Sequence, residues 1–255
     1  LLRNNGYSPI ESNQIIKNSP TYWGNQPFVE APAYLGIVVF FLFVFSIFLY
    51  RGNHRGWLLA SIIVSLLLSF GKNFSLLTDF FIDYFPIYDK FRAVSSIQVI
   101  LELCIPIFAI LGLSKLISQG VEYKSKFRAL NYTAILFFSI LSTLFLFKGY
   151  LSYSGVSDHY MDDTIVEALI SDRKNIFIGQ LQRTLFFIST AYLIIFLYLK
   201  SKLSKQLLII SFGVIICYDL ISFSKNYVNN ENFVDPVFVE NPFNKDDVYQ
   251  SIAQD

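Results

Sequence analysis

Six long apolar stretches are the feature that most limits what this chain can fold into. About 18 helical residues rise roughly 27 Å, close to the thickness of the hydrocarbon core of a membrane. Most of the stretches are apolar around their whole circumference, which argues against core helices of a soluble protein. We predict an all-α, polytopic transmembrane bundle of six spanning helices, with short interfacial helices in the outer loops. The predicted spans are 33–50, 57–70, 94–117, 129–147, 184–199 and 206–223.

The charge content agrees with a membrane protein. Only 15% of the residues are charged, against about 25% in soluble globular domains. The net charge of +1 gives no field that would hold a nucleic acid, and no basic stripe with interleaved aromatic residues occurs. The lipid bilayer is therefore the expected partner, and nucleic acid is not.

The distribution of Lys and Arg predicts the orientation of the spans. Short connections rich in Lys and Arg stay in the cytoplasm. The connections after the first, third and fifth stretches, with the adjoining helix ends, contain a single acid, Glu122. We therefore predict that these connections are cytoplasmic and that both ends of the chain lie outside. Their basic residues are Arg51, Arg55, Lys115, Lys124, Lys126, Arg128, Lys200, Lys202 and Lys205.

The same pattern divides the chain into three parts. Residues 1–32 form an outer segment that leads into the membrane, 33–223 the transmembrane domain, and 224–255 the start of a further outer region. We expect residues 1–255 to be an internal, C-terminal-half part of a longer polypeptide.

The connection between the second and third spans, GKNFSLLTDFFIDYFPIYDKFRA (71–93), is aromatic in its middle. It predicts a short helix in the membrane interface that ends before Pro86. Lys72, Lys90 and Arg92 would then lie within reach of a lipid phosphate, which Arg binds through two parallel hydrogen bonds and Lys as a point charge. The alternative is interfacial anchoring, with Asp89 pairing locally with these cations.

Two acids fall inside predicted spans. Glu102 lies near the outer boundary of the third span, and Asp219 near the outer end of the sixth. An ionisable group at such a depth needs a polar cavity or a partner. Both residues are therefore candidates to line an external cavity. The alternatives are a bond from Glu102 to Lys72, a Tyr or the backbone, and a bond from Asp219 to Lys225 or Tyr227.

An acidic cluster in SDHYMDDTIVEAL (157–169) raises the question of a metal site. A metal needs three or four converging ligands, whereas acids are also favourable at the start of a helix. We interpret the cluster as a helix start and assign no metal site. Whether the protein uses a divalent metal cofactor stays an open question. No hydrolase or nucleotide-binding motif is present. The residues of the cluster are Asp158, His159, Asp162 and Asp163.

Several phrases resemble the YfhO family of bacterial multi-pass membrane proteins, with the Bacteroidota-type members most similar. The resemblance runs through nearly the whole chain and is most specific around PIYDKFRA. The phrases are TYWGNQPFVEAPAYLG (21–36), SFGKNF (69–74), YFPIYDKFRAVSSIQVILE (84–102), RKNIFIGQLQRTLFF (173–187) and YDLISFSKNYVNNENF (218–233).

The resemblance implies a GT-C class glycosyltransferase in the bacterial cytoplasmic membrane. Such an enzyme takes a sugar from a polyprenyl-phosphate carrier on the outer face and attaches it to an envelope polymer or lipid. Lys72, Lys90 and Arg92 would bind the donor phosphate, with Glu102 and Asp89 as secondary candidates for the catalytic carboxylate. The principal catalytic acid is expected nearer the N-terminus of the longer polypeptide. A transporter or flippase, and a non-catalytic subunit that binds lipid or a partner, are the alternatives.

Overall fold

Helices are the only regular secondary structure in the part of the chain that the structure describes. The computed structural model describes residues 6–18, 20–24, 33–90, 94–230, 233 and 236, and no strand occurs among them. The predicted all-α architecture is confirmed. The α-helices are α1 (Pro9–Asn18), α2 (Ile37–Leu49), α3 (Arg55–Ser69), α4 (Ser75–Tyr84), α5 (Gln98–Ile117), α6 (Tyr123–Phe147), α7 (Asp163–Leu199) and α8 (Lys205–Ser224).

The surface of the bundle is apolar, as expected for helices that contact lipid. Large apolar side chains on the longer helices are more than half exposed, for example Leu103, Ile110, Ile135, Leu193 and Val214. Apolar surface of this extent is rare on soluble monomers, whereas in a bilayer it contacts lipid and leaves the helical backbone internally hydrogen-bonded. The chain is therefore a multi-pass membrane protein.

The number of full spans differs from the six predicted. Helices α5, α6, α7 and α8 are long and apolar enough to cross a membrane, and the bent pair α3 and α4 raises the number to five. All six predicted stretches are helical, but the first forms only the 13 residues of α2. Residues 33–36 are not helical, and Gly36 has a φ of 88°. Helix α2 therefore rises only about 20 Å, less than the hydrocarbon core.

Helix α2 is nevertheless central, since it packs against α5, α6 and α7. Its contact with α5 is close because Gly112 has no side chain: a Cβ there would overlap the side chain of Ser46. The Ser46 hydroxyl donates to the Leu42 carbonyl at 2.7 Å and lies 3.3 Å from the Ala109 carbonyl. Small residues allow such close approach, and the resulting van der Waals packing contributes to helix association in lipid.

Helix α3 meets the segment Gly71–Tyr84 at an angle of 113°. The bend begins at Gly71, whose φ of 51° lies in the left-handed region that favours glycine. The Thr78 hydroxyl donates to the Gly71 carbonyl at 2.9 Å and stabilises the bend. Helix α4 ends at Tyr84, and Phe85 is extended before Pro86, as the sequence predicts.

Helix α7 is much longer than its apolar stretch. It runs for 37 residues, or about 55 Å, whereas a hydrocarbon core is about 30 Å thick. The apolar pattern identifies only 184–199, because the first half of the helix carries charged residues. That half therefore extends beyond the membrane.

The three basic connections lie together at one end of the bundle, here called the basic end. Residues of the α2–α3 and α5–α6 connections, including Arg51 and Glu122, line one cavity. The α5–α6 and α7–α8 connections line another, which includes Lys126 and Lys202. This grouping agrees with the prediction that successive spans run in alternate directions and place the three basic connections on one side. The membrane face on which the basic end lies stays a prediction.

The chain divides into two compact units, Leu1–Asp219 and Leu220–Asp255. The described part of the second unit contains the last residues of α8 and a turn in which the Lys225 N–H donates to the Ile221 carbonyl at 3.1 Å. The predicted domain boundaries near residues 33 and 223 stay predictions.

Candidate functional site

The predicted phosphate-binding residues belong to the segment that follows the bend after α3. Lys72 and Lys90 are both exposed, and Lys72 makes no ion pair or hydrogen bond to any described residue. Lys90 donates to the Asp89 carboxylate at 2.6 Å, which is the local pairing considered as the alternative. Arg92 lies outside the described residues. The segment thus presents two exposed ammonium groups, one of them already paired.

The aromatic residues of this segment hold the turn at Tyr88 against α4. The rings of Phe81 and Phe85 stack with their centroids 4.2 Å apart, and Phe81 lies 5.4 Å from Tyr88. Phe80 and Ile82 are close to half exposed, and Tyr84 more so. An apolar, aromatic helix that lies across the direction of its neighbour is typical of the membrane interface, in agreement with the interfacial helix predicted here.

Glu102 is exposed on the first turns of α5. It lies between Val99 and Leu103, whose side chains are 63% and 64% exposed. It makes no ion pair or hydrogen bond within the described residues, and it lines none of the three described cavities. A carboxylate on an apolar helix face must reach water or a ligand at the membrane boundary.

Asp219 is fully buried and lies at the centre of a polar cluster. Its carboxylate accepts hydrogen bonds from the Tyr34 hydroxyl and the Ile37 N–H, each at 2.6 Å, and from the Val38 N–H at 3.3 Å. Arg183 Nη2 donates to its Oδ1 and to its main-chain carbonyl, each at 2.7 Å. With no exposed surface, Asp219 does not line any of the described cavities.

The depth of this cluster in the membrane explains why the first N–H groups of α2 need acceptors. Arg183 lies about 24 Å along α7 from Leu199, and Asp219 about 21 Å along α8 from Lys205. For a hydrocarbon core that starts at Leu199 and Lys205, both rises are shorter than its thickness of about 30 Å, so the start of α2 lies within the core. The first N–H groups of a helix have no partner within the helix and are costly to leave free in lipid. Asp219 accepts two of them, and Arg183 neutralises its charge.

A second buried ion pair lies nearer the start of α7. The guanidinium of Arg173, which has no exposed surface, binds the Asp158 carboxylate with two hydrogen bonds of 2.7 and 2.9 Å. Arg173 also donates to the Tyr153 carbonyl at 2.9 Å and to the Pro20 carbonyl at 3.0 Å. Trp23 packs near Tyr153, with centroids 5.9 Å apart. One side chain therefore joins α7 to the loop before it and to the N-terminal segment.

The Arg173–Asp158 pair accounts for one residue of the acidic cluster at 157–169. Hydrogen bonds from Arg173 hold the pKa of the Asp158 carboxyl below its usual value, and the Gly155 N–H at 2.6 Å contributes against the opposing effect of burial. Helix α7 begins at Asp163, as the interpretation of a helix start predicts. Among the described residues no group of three or more His, Cys, Asp and Glu side chains converges as metal ligands would.

Besides the two cavities at the basic end, an apolar groove of about 500 Å³ runs between α6 and α7. Phe138, Leu141 and Phe145 contribute its α6 wall, and Leu181 and Leu185 its α7 wall. An apolar groove on a lipid-facing surface accommodates acyl chains without any specific chemistry.

Comparison with protein-family models, with curated proteins and with solved structures finds no match to this chain.

Sequence reasoning missed the two arginines that organise the buried clusters. Arg173 and Arg183 both precede the apolar part of α7, and neither of them was assigned a role from the sequence. The available signal for Arg183 was its place at the start of the stretch TLFFISTAYLIIFLYL, since an arginine there needs a partner. Its partner Asp219 lies 36 positions away in the chain, and no local pattern relates them.

Proposed function

We propose that this chain is part of an integral membrane glycosyltransferase that uses a polyprenyl-phosphate-linked sugar on the outer face of the bacterial cytoplasmic membrane. The acceptor is a surface polymer or lipid of the cell envelope. Two features support the proposal. One is the resemblance of the sequence to the YfhO family. The other is the segment that follows the bend after α3.

The single observation that carries the proposal is the pairing of exposed cations with an exposed aromatic helix in Gly71–Lys90. Lys72 precedes α4, and Lys90 follows it. A polyprenyl phosphate has the matching composition, since it joins an anionic group to a long apolar chain. The exposed Phe80, Ile82 and Tyr84 would contact the chain while the ammonium groups bind the phosphate. Arg92 is predicted to extend the same site.

The reaction is the one that the family resemblance implies. An acceptor hydroxyl oxygen forms a bond to the anomeric carbon of the sugar, while the bond from that carbon to the phosphate oxygen breaks. A carboxylate takes the proton of the hydroxyl, and the bonding electrons leave with the polyprenyl phosphate. Negative charge grows on the leaving phosphate, so Lys72, Lys90 and Arg92 would stabilise the transition state most. Asp89 and Glu102 are secondary candidates for the carboxylate.

The test is a variant that removes the described cations and a control that removes a cation elsewhere. Lys72→Gln with Lys90→Gln should weaken binding of polyprenyl phosphate to the purified full chain at least about tenfold, given the strength of charge-assisted hydrogen bonds. Glycan attached to the envelope, measured by mass spectrometry of cells, should fall with it. Lys148→Gln is the control, because Lys148 lies over the Phe145 ring at 3.7 Å and outside this segment. Unchanged glycan in the double variant, at normal protein abundance, would reject the proposal.

A transporter or flippase is the second candidate, and the bend of 113° after α3 favours it, since broken helices line transport sites. The exposed Glu102 would then contact the solute. Reconstituted vesicles discriminate the two functions: a transporter moves the carrier or solute across the bilayer without modifying any acceptor. Carrier binding without transfer or movement would instead support a non-catalytic subunit.

A further inference from the structure

A basic cavity of about 560 Å³ opens at the basic end, between the end of α2, the end of α5 and the start of α6. Three cations line it: Arg51 follows α2, Lys115 lies in the last turn of α5, and Arg128 lies in the second turn of α6. Glu122 is the only acid among the lining residues. The lining thus carries a net charge of +2, from three cations and one acid.

None of these three cations has a protein partner in the described part of the chain. Their neighbours at the same end differ: the Arg55 guanidinium donates to the Tyr50 carbonyl at 3.4 Å, and the Lys126 ammonium to the Ser118 carbonyl at 2.6 Å. Positive groups that surround a cavity without internal pairing repel one another. An anion in the cavity would relieve that repulsion.

The start of α6 adds to the same field. Gly120, Val121 and Glu122 line the cavity just before the helix begins at Tyr123. The first N–H groups of a helix lack intrahelical acceptors and carry the positive end of the helix dipole. The side chain of the N-cap residue Glu122 does not cap them. Backbone donors and side-chain cations therefore meet at one place, as they do in phosphate sites.

The inner wall of the cavity is apolar. Phe48 and Tyr132 meet there edge to face with their ring centroids 5.7 Å apart, and Leu49 and Ala129 complete the wall. A cavity with a basic rim and an apolar wall, between helices and at the membrane boundary, matches a phospholipid whose headgroup binds the rim and whose first acyl carbons contact the wall.

We propose that this cavity binds a phosphate group at the basic end of the bundle. Its source is an anionic phospholipid of the adjacent leaflet or a soluble phosphate compound, and the apolar wall favours the phospholipid. The site lies at the other end of the bundle from Lys72 and Lys90, so it is independent of the proposed glycosyl transfer. If the basic residues at this end served only to orient the spans, cations inside and outside the cavity would contribute equally to phosphate binding.

The experiment compares two double variants that remove the same charge from the same end. Arg51→Gln with Arg128→Gln removes two cavity cations. Lys124→Gln with Lys205→Gln removes two exposed cations that line neither cavity at this end. The purified full chain is titrated with phosphatidylglycerol, phosphatidylethanolamine or inorganic phosphate, and binding is measured by native mass spectrometry and by the shift in Tm.

We expect wild type to bind phosphatidylglycerol better than phosphatidylethanolamine. The cavity variant should lose at least about 30-fold in affinity for phosphatidylglycerol, because it loses two charge-assisted hydrogen bonds to the phosphate. The control variant should lose much less, because its exposed cations do not contact the phosphate and act only through solvent, where salt screens them. If inorganic phosphate alone shows this loss, the site takes a soluble phosphate. Equal losses in both variants, or no loss in either, would overturn the proposal.

Two arginine changes at a helix junction can impair folding, so a milder variant keeps the test decisive. Lys115→Gln changes one exposed side chain and should lower the affinity for the same ligand about fivefold. Size-exclusion chromatography checks the fold of each variant. A well-folded Lys115→Gln protein with unchanged affinity would also count against the site.

Discussion

The carboxylate of Asp219 and the guanidinium of Arg183 meet at 2.7 Å, and the same carboxylate accepts the first N–H groups of α2. This relationship allows a helix of 13 residues to begin within the membrane. The Arg183 guanidinium also lies over the rings of Tyr34 and Phe187, at 5.5 and 5.2 Å, which adds a cation–π contribution. Three helices and the segment before α2 therefore depend on one ion pair.

Asp219→Ala should destabilise the protein by about 3–5 kcal/mol, because it leaves Arg183 and the start of α2 without their buried partner. Arg183→Gln should also destabilise the protein, because it leaves the fully buried Asp219 carboxylate without its countercharge. Thermal unfolding in detergent, followed by the loss of monodisperse protein, measures both. Asp79→Asn, a change of an exposed acid on α4, is the control and should stay within about 0.5 kcal/mol of wild type. If Asp219→Ala matched that control, the assigned role of the cluster would be wrong.

Arg173→Gln should release the N-terminal segment and the loop before α7 from the helix. The substitution leaves the Asp158 carboxylate buried and unpaired, at a cost of about 3–5 kcal/mol. The chain holds two tryptophans, so Trp57→Phe makes Trp23, which packs near Tyr153, the sole reporter of this region. Its emission should shift to the red as it becomes exposed. Lys174→Gln, at the exposed neighbouring position, should leave the emission unchanged.

The Arg173–Asp158 pair also predicts a dependence on pH. Because the folded protein holds the pKa of Asp158 below its usual value, the contribution is fully present above the ordinary aspartate pKa of about 3.9. It is lost as the pH falls through the lower folded value. The Trp23 emission of the Trp57→Phe protein should therefore change on acidification below about pH 4. A background that also carries Asp158→Asn should show its altered emission already at neutral pH and little further change with acid.

Gly112→Ala should separate α2 from α5. The added Cβ would lie 2.8 Å from the Ser46 Cα, so a backbone must move, and overpacking of this kind costs about 1–3 kcal/mol. Gly213→Ala on α8 is the matched control, since nothing lies within 4 Å of its added Cβ. That change should be neutral or slightly stabilising, because Ala has the higher helix propensity. Equal Tm values for the two variants would contradict the close contact.

Labelling of introduced cysteines with a membrane-impermeant maleimide tests the orientation of the bundle. In a background with Cys104→Ser and Cys217→Ser, Tyr160→Cys before α7 should react in intact cells, because that position is 91% exposed at the end predicted to lie outside. Asn53→Cys at the basic end should react only after permeabilisation. The reverse result would put Lys72 and Lys90 on the cytoplasmic side and remove the basis for an outer-face donor site.

The sequence by itself determined the class of the fold and the approximate place of the helices from α2 onward, whereas α1 was not predicted. Apolar stretches, a proline at 86 and the acids before α7 act within a few residues, so the end of α4 and the start of α7 follow from local chemistry. The length of α7 did not, since its charged first half carries no apolar pattern. The bend at Gly71 is equally local in cause, but its angle depends on the packing around Thr78.

Tertiary structure alone decided which polar residues are paired. The sequence made Asp219 a candidate to line a cavity, but the structure shows it as the buried partner of Arg183. Glu102, which the sequence also places near the outer end of a span, is exposed. The difference arises because the cost of burying a charge is met only by a specific partner brought near by folding. That partner is 36 residues away for Asp219 and 15 for Asp158. Hydrophobicity is a property of each segment, but the pairing of charges is a property of the assembled bundle.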